Sequence, residues 1–225
     1  MDTISYTVVL SRRKTIALHT KNGELEVRAP IGATTDDIEE FILEKLDWVV
    51  KNLATSKRNA ELRERFSVNY GDTVTYLGRE YPVAAKAGDW IGFDDKSFYL
   101  PPGLHPIDIK TSCVEIYRML ARRDLNKKVR EFSEVLHVEP TGVKITSAKN
   151  RWGSCTWRKS LNFSWRLIMA HEDCVNYVVV HELAHLIEMN HGKQFWRIVE
   201  SVIPNYMDLR PRLKKLYSRL LCENW

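Results

Sequence analysis

His181-Glu182-Leu183-Ala184-His185 puts two imidazoles four residues apart, and His191 follows ten residues after the first. Residues four apart on a helix stand one turn above each other on the same face, so His181 and His185 can aim at a single point. Zinc accepts neutral histidine nitrogen at about 2.0–2.1 Å, and two ligands one turn apart fit that geometry without strain. Glu182 lies about 100° around the helix from His181. That offset directs its carboxylate past a metal, toward a water in an open coordination position. His191 supplies a third ligand only if the helix ends first. Asn190 and Gly192 flank it, and both residue types tolerate the left-handed backbone that stops helices, so the chain is expected to end its helix near Met189 and swing His191 back. Three protein ligands plus one open position is the arrangement of a catalytic zinc site, whereas a structural site is closed by four.

The neighbours of this segment describe a buried helix. Val178-Val179-Val180 precede it, and Leu183, Ala184, Leu186 and Ile187 lie within and after it. Two histidines and a glutamate would be costly there without a partner, which favours ligation over chance. A bound zinc would lower the pKa of a water toward about 7 and polarise a carbonyl or phosphoryl oxygen, with Glu182 taking the proton as general base. Such chemistry also needs a donor for the developing oxyanion. Arg151 is the leading candidate, since it opens Arg151-Trp152-Gly153-Ser154-Cys155 beside an expected edge strand; Tyr206 and Arg166 are the others. Glu188 could orient a ligand imidazole, and Cys155 becomes a fourth ligand only in a closed site. Trp152 and Trp165 read as packing residues that could also line a groove. His19, His105, His137 and His171 have no partner spacing.

The elements that must position these residues follow from periodicity and turn signals. Residues 6–10, 15–19 and 25–28 carry strand patterns, with Asn22-Gly23 as a hairpin turn. Thr34 or Thr35 can cap a helix that carries Asp36 and Asp37 at its start and Ile38, Phe41, Ile42, Leu46 and Val49 on one face; residues 55–65 either extend it or form a linker. Hairpins are expected over 73–83 and 90–100, and Pro101-Pro102-Gly103 marks a domain boundary. Residues 108–136 read as a long helix, 143–147 and 161–167 as strands, and helices are expected over 173–189, 193–202 and the tail. The class is α+β: a mostly β N-terminal region with one helix over 1–103, then a helical zinc-binding core with a small antiparallel sheet over 104–225.

Composition bounds the remaining possibilities. The 225 residues are 44% hydrophobic and 28% charged, a profile that excludes an intrinsically disordered chain. No apolar run approaches the roughly 20 residues that span a bilayer, so no membrane partner is expected. Met1-Asp2-Thr3-Ile4-Ser5 lacks the basic-then-apolar order of a signal peptide, and cytoplasmic residence is the expectation. Cys113, Cys155, Cys174 and Cys222 are dispersed and read as reduced thiols. A net charge of +5 favours anionic partners only weakly, and the run Arg210-Pro211-Arg212-Leu213-Lys214-Lys215 reads as the solvated face of a terminal helix rather than a nucleic-acid patch. The sequence leaves the oligomeric state open.

The segment His181–Trp196, HELAHLIEMNHGKQFW, resembles the metal-binding helix of the YgjP-like metallopeptidase-like family, distant relatives of the SprT and WLM groups. The 151–155 motif, Leu161 through Ile168, Arg13-Lys14-Thr15, Ala29-Pro30 and Trp48 extend the resemblance to nearly the whole chain. It implies a gluzincin- or SprT-like core with His181, His185 and His191 as zinc ligands and Glu182 as base. The His191 spacing is also that of metzincins, but Glu188 stands where those enzymes carry Gly, and Met207 is a weak match to their Met-turn. The expected function is a zinc-dependent hydrolase acting on a peptide substrate. A metal-dependent hydrolase of nucleotide phosphoanhydrides is the first alternative, and a metal-stabilised nucleic-acid-binding module the second.

Overall fold

A computed structural model of the chain describes residues 4–225; Met1, Asp2 and Thr3, which begin the segment weighed as a signal peptide, lie outside the described residues. The fold is α+β, with two compact units: residues 1–66 with 219–224, and residues 67–218 with 225.

In the first unit, β1 (Tyr6–Ser11), β2 (Ala17–Lys21) and β3 (Glu24–Pro30) form a sheet with β3 in the centre. Asn22 and Gly23 take φ of 52° and 83°, as a two-residue hairpin turn requires, and β2 pairs antiparallel with β3. β1 runs parallel to β3. Leu25, Val27 and Ala29 alternate inward along β3 and pack on Ile38, Ile42 and Val49. Thr34 caps α1 (Thr35–Glu44) through a reciprocal capping box with Asp37: the Asp37 N–H donates to Thr34 Oγ1 at 3.2 Å, and the Thr34 N–H donates to Asp37 Oδ2 at 2.8 Å. Lys45 interrupts the helix, and α2 (Leu46–Arg65) carries residues 55–65 as helix.

The second unit begins with β4 (Thr73–Tyr76), β5 (Arg79–Ala85), β6 (Gly92–Phe93) and β7 (Phe98–Leu100), in the order β4-β5-β7-β6. Pro101-Pro102-Gly103 follows β7 inside this unit, so the compact division falls after Phe66 and not at 103. The physical reason is the packing of residues 67–100 on α3 (Pro106–Leu136): the Tyr117 hydroxyl donates to the Thr75 carbonyl at 2.8 Å, and the Tyr117 ring lies between Phe98 and Trp165, with centroids at 5.0 and 5.6 Å. Ile109, Cys113, Ile116, Leu120, Leu125 and Val129 continue that buried stripe at helical spacing.

A second sheet has the order β8-β10-β9, from β8 (Gly142–Thr146), β9 (Gly153–Cys155) and β10 (Ser160–Ser164). It is mixed: β10 runs parallel to β8 and antiparallel to β9. The strand expected to reach Leu167 stops at Ser164, and Trp165–Met169 form a 3-10 turn whose five residues are all buried. α4 (Glu172–Ala184), α5 (Lys193–Val202) and α6 (Tyr206–Leu220), the last as far as Ser218, complete the unit. Among the described residues no disulfide joins the four cysteines. Among the described residues no helix is long and apolar enough to cross a membrane.

Candidate metal centre

α4 carries His181 in its last turn and His185 at its C-cap. The helix ends earlier than its apolar pattern suggests, at Ala184 rather than near Met189. It tightens through bonds from Leu186 N–H to the Leu183 carbonyl and from Ile187 N–H to the Ala184 carbonyl, at 2.9 and 3.1 Å. The left-handed stop expected at Asn190 or Gly192 does not occur; Gly192 has φ −77° and serves as the N-cap of α5. The short connection still returns His191 to the other two rings.

The ligand nitrogens of His181, His185 and His191 all lie within 4.8 Å of one another. Nε2 of His181 and Nε2 of His191 are 3.1 Å apart. Two nitrogens at about 2.0–2.1 Å from a tetrahedral centre are separated by about 3.3–3.4 Å, so this spacing suits a shared ion. Nδ1 of His185 lies 3.2 Å from the backbone carbonyl oxygen of Glu188. A carbonyl only accepts, which places the proton on Nδ1 and leaves the Nε2 lone pair free for a metal. The orienting group is therefore the Glu188 backbone; its side chain accepts from the Asn190 N–H at 3.3 Å. Nδ1 of His181 is buried with no hydrogen-bond partner among the described residues. Burial, with the neighbouring His185 and His191 and the charge of Arg210, holds the His181 imidazole down at about pKa 3, so the ring is neutral and its lone pair available. The donor set fits a zinc ion.

Phe195 and Trp196, one helical turn after His191, escaped the sequence reading. Phe195 is fully buried beneath the cluster, its ring centroid 4.9, 4.6 and 4.6 Å from those of His181, His185 and His191. Trp196 stacks on His191 at 5.7 Å and on Tyr206 at 5.2 Å. Spacing could not have shown this, because His191 precedes the N-cap of α5 and the turn at Gly192 brings Phe195 beneath it.

Glu182 is buried and faces β9. The Cys155 backbone N–H donates to its carboxylate, and burial outweighs this bond and the charge of Arg151 to raise its pKa to about 7. A carboxyl poised there can both take and return a proton. Space for it depends on Gly153: a Cβ at that position would stand 2.7 Å from Cγ and from Oε1 of Glu182. Arg151, Trp152 and Gly153 line a cavity of about 360 Å³ together with His181 and Glu182.

The other candidates separate. Arg166 is buried, donating to the carbonyls of Ser147 and Trp225, and does not line the cavity. Tyr206 stays near, stacked on Tyr177, whose ring lies 5.9 Å from that of His181. Trp165 is a core residue. Cys155 does not join the three-histidine cluster, and its thiol donates to the Thr156 carbonyl at 3.5 Å. Met207 is 58% exposed and forms no floor beneath the rings.

Two solved structures resemble part of the chain. The metallopeptidase zymogen abylysin of Pyrococcus abyssi is 22% identical with a TM-score of 0.38, over 40% of this chain and 92% of that one. The metallopeptidase zymogen jannalysin of Methanocaldococcus jannaschii is 21% identical with a TM-score of 0.37, over 40% and 94%. No curated protein gives a significant match. The family described as "YgjP-like, metallopeptidase domain" matches residues 14–216, a span that contains all three histidines, Glu182 and the 151–155 strand motif. With nearly the whole sequence inside that match, the chain belongs to the YgjP-like family of metallopeptidase domains.

Proposed function

We propose that the chain is a zinc-dependent peptidase in which His181, His185 and His191 hold the metal and Glu182 is the general base. The observation that carries this reading is the convergence of three imidazole nitrogens, one of them on His181, which lines the same cavity as the buried Glu182 carboxyl. Zinc in that cluster supplies Lewis-acid polarisation of a carbonyl and acidifies a water.

The residues of the chain supply the rest. The Ser164 N–H donates to the Trp152 carbonyl and the Thr156 N–H to the Ser160 carbonyl, while Ser154 stands opposite Asn162. Trp152, Ser154 and Thr156 thus bond toward β10, and Gly153 and Cys155 direct their backbone groups outward. β9 pairs only with β10 among the described strands. Apart from the Cys155 N–H, which Glu182 takes, this edge has no strand partner and can receive an extended peptide, which sets a carbonyl beside Glu182. Glu182 accepts the proton of the attacking water as its oxygen bonds to that carbonyl carbon. It then gives the proton to the leaving amine as the C–N bond breaks. Arg151, at the same cavity, donates to the oxyanion that develops.

Metal analysis of the purified chain is expected to find one zinc, and cleavage of unfolded casein to vanish on chelation and return on adding zinc. Undiminished cleavage by the stripped protein would overturn the reading, as would release of phosphate from a nucleoside triphosphate in place of peptide cleavage. Gly153→Ala tests the placement of the base. The new methyl group must displace the carboxyl, and a misplacement of this size costs about 100-fold in rate. Activity within a few-fold of the unsubstituted chain, with zinc bound, would contradict the assigned position of Glu182.

A further inference from the structure

Helical spacing divides the basic run near the C-terminus. Arg210, Leu213, Lys214 and Tyr217 fall at i, i+3, i+4 and i+7 of α6, on one face. All four line the same cavity as His181, Glu182 and Arg151. Of the residues between them, Arg212 turns elsewhere and lies 3.7 Å from the Asp173 carboxylate. The Arg210 guanidinium is held over the Trp196 ring, 5.5 Å from its centroid. Its position is thereby tied to the aromatic stack that also touches His191.

The cavity therefore has three cations and a single carboxyl on its walls. Among the described residues no carboxylate, Glu182 included, forms an ion pair with Arg151, Arg210 or Lys214. Unpaired like charges gathered on one concave surface repel each other and focus a positive potential that an anionic ligand would relieve. Gly153 of β9 lines the same space, so a peptide lying along that edge would drop a side chain into it. Trp152 and Tyr217 meet edge to face, at 80° and 6.5 Å, and offer no parallel pair of ring faces for a nucleobase to stack between.

We propose that this cavity is the subsite for an acidic residue of the peptide substrate, with the Asp or Glu carboxylate bound by Arg210 and Lys214 and its methylene carbons against Leu213 and Tyr217. The assignment rests on the peptidase reading and names the substrate class for it.

Binding without turnover separates the two. In the zinc-loaded Glu182→Gln chain, fluorescence anisotropy with labelled Ala/Ser decapeptides carrying a central Glu, Gln or Lys is expected to rank Glu about tenfold tighter than Gln, as a charged hydrogen bond gives. Lys should be weakest. Adding Arg210→Gln with Lys214→Gln should bring the Glu-to-Gln ratio to about one, and Arg210→Lys with Lys214→Arg should restore most of it, which a folding defect would not do. Equal affinity for Glu and Gln peptides, or a ratio unmoved by the double glutamine variant, overturns the subsite. So does a labelled oligouridine that binds more tightly than the Glu peptide and is lost in that variant. If the unsubstituted chain cleaves no peptide while the Glu preference and its loss persist, the peptidase reading fails and the acidic-peptide subsite stands.

Discussion

Glu182→Gln is expected to lower peptide cleavage by about 100- to 10,000-fold, the range a general base contributes, while zinc content stays the same. The amide has nearly the shape of the carboxyl it replaces, so it fits beneath Gly153 and still offers an oxygen to the Cys155 N–H. It has no means of accepting a proton from water. Glu182 is not among the clustered ligand atoms, so the metal loses no donor. Burying a neutral amide is also easier than burying a carboxylate, and the melting temperature should not fall. Steady-state cleavage and metal analysis on one preparation decide the matter. Activity retained within a few-fold would remove Glu182 from the mechanism.

His185→Ala is expected to release the metal. The His185 ring has one nitrogen fixed by the Glu188 carbonyl and stands 4.7 Å from His191, so it is the most strictly oriented of the three. Losing an orienting outer contact already costs a zinc site about 10- to 100-fold in affinity, and losing a ligand should cost more. The backbone has little reason to respond, because His185 closes α4 in ordinary helical geometry, with φ −66° and ψ −15°, and alanine is at ease there. Competition with a chromophoric zinc chelator, beside a circular dichroism spectrum, separates lost ligation from lost fold. A variant that keeps zinc as tightly as the parent would show that the ion is held elsewhere.

The sequence made the local parts of this arrangement legible. Two histidines four apart, the Asn22-Gly23 turn, the Thr34 cap and the stripe along α3 are each decided by neighbours within a turn or two of chain. Features that depend on distant partners were hidden. The polar–apolar alternation that starts at Leu161 continues through Arg166 and Leu167, past the end of the strand, so nothing in it shows where strand gives way to 3-10 turn at Trp165. The early end of α4 depends on tightened backbone bonds, not on the residues that flank His191. The Cys155 N–H that meets Glu182 carries no side-chain signature at all, since any residue but proline has one. Arg210 and Lys214 sit far along the chain from His181, and only the fold of the second unit shows that half of a basic surface helix turns toward the cavity.

Val175, Val179, Val180, Leu183 and Ala184 are completely buried along α4, and the helix packs on α3. Hydrocarbon, not an ion, anchors the element that presents two of the three imidazoles. Small zinc fingers are the opposite case, unfolding when their ion departs. On the proposed zinc chemistry, a chain of this build is expected to keep its architecture when emptied, so that protein from zinc-poor cells would be dormant rather than ruined and the supply of the ion would govern how much of it works.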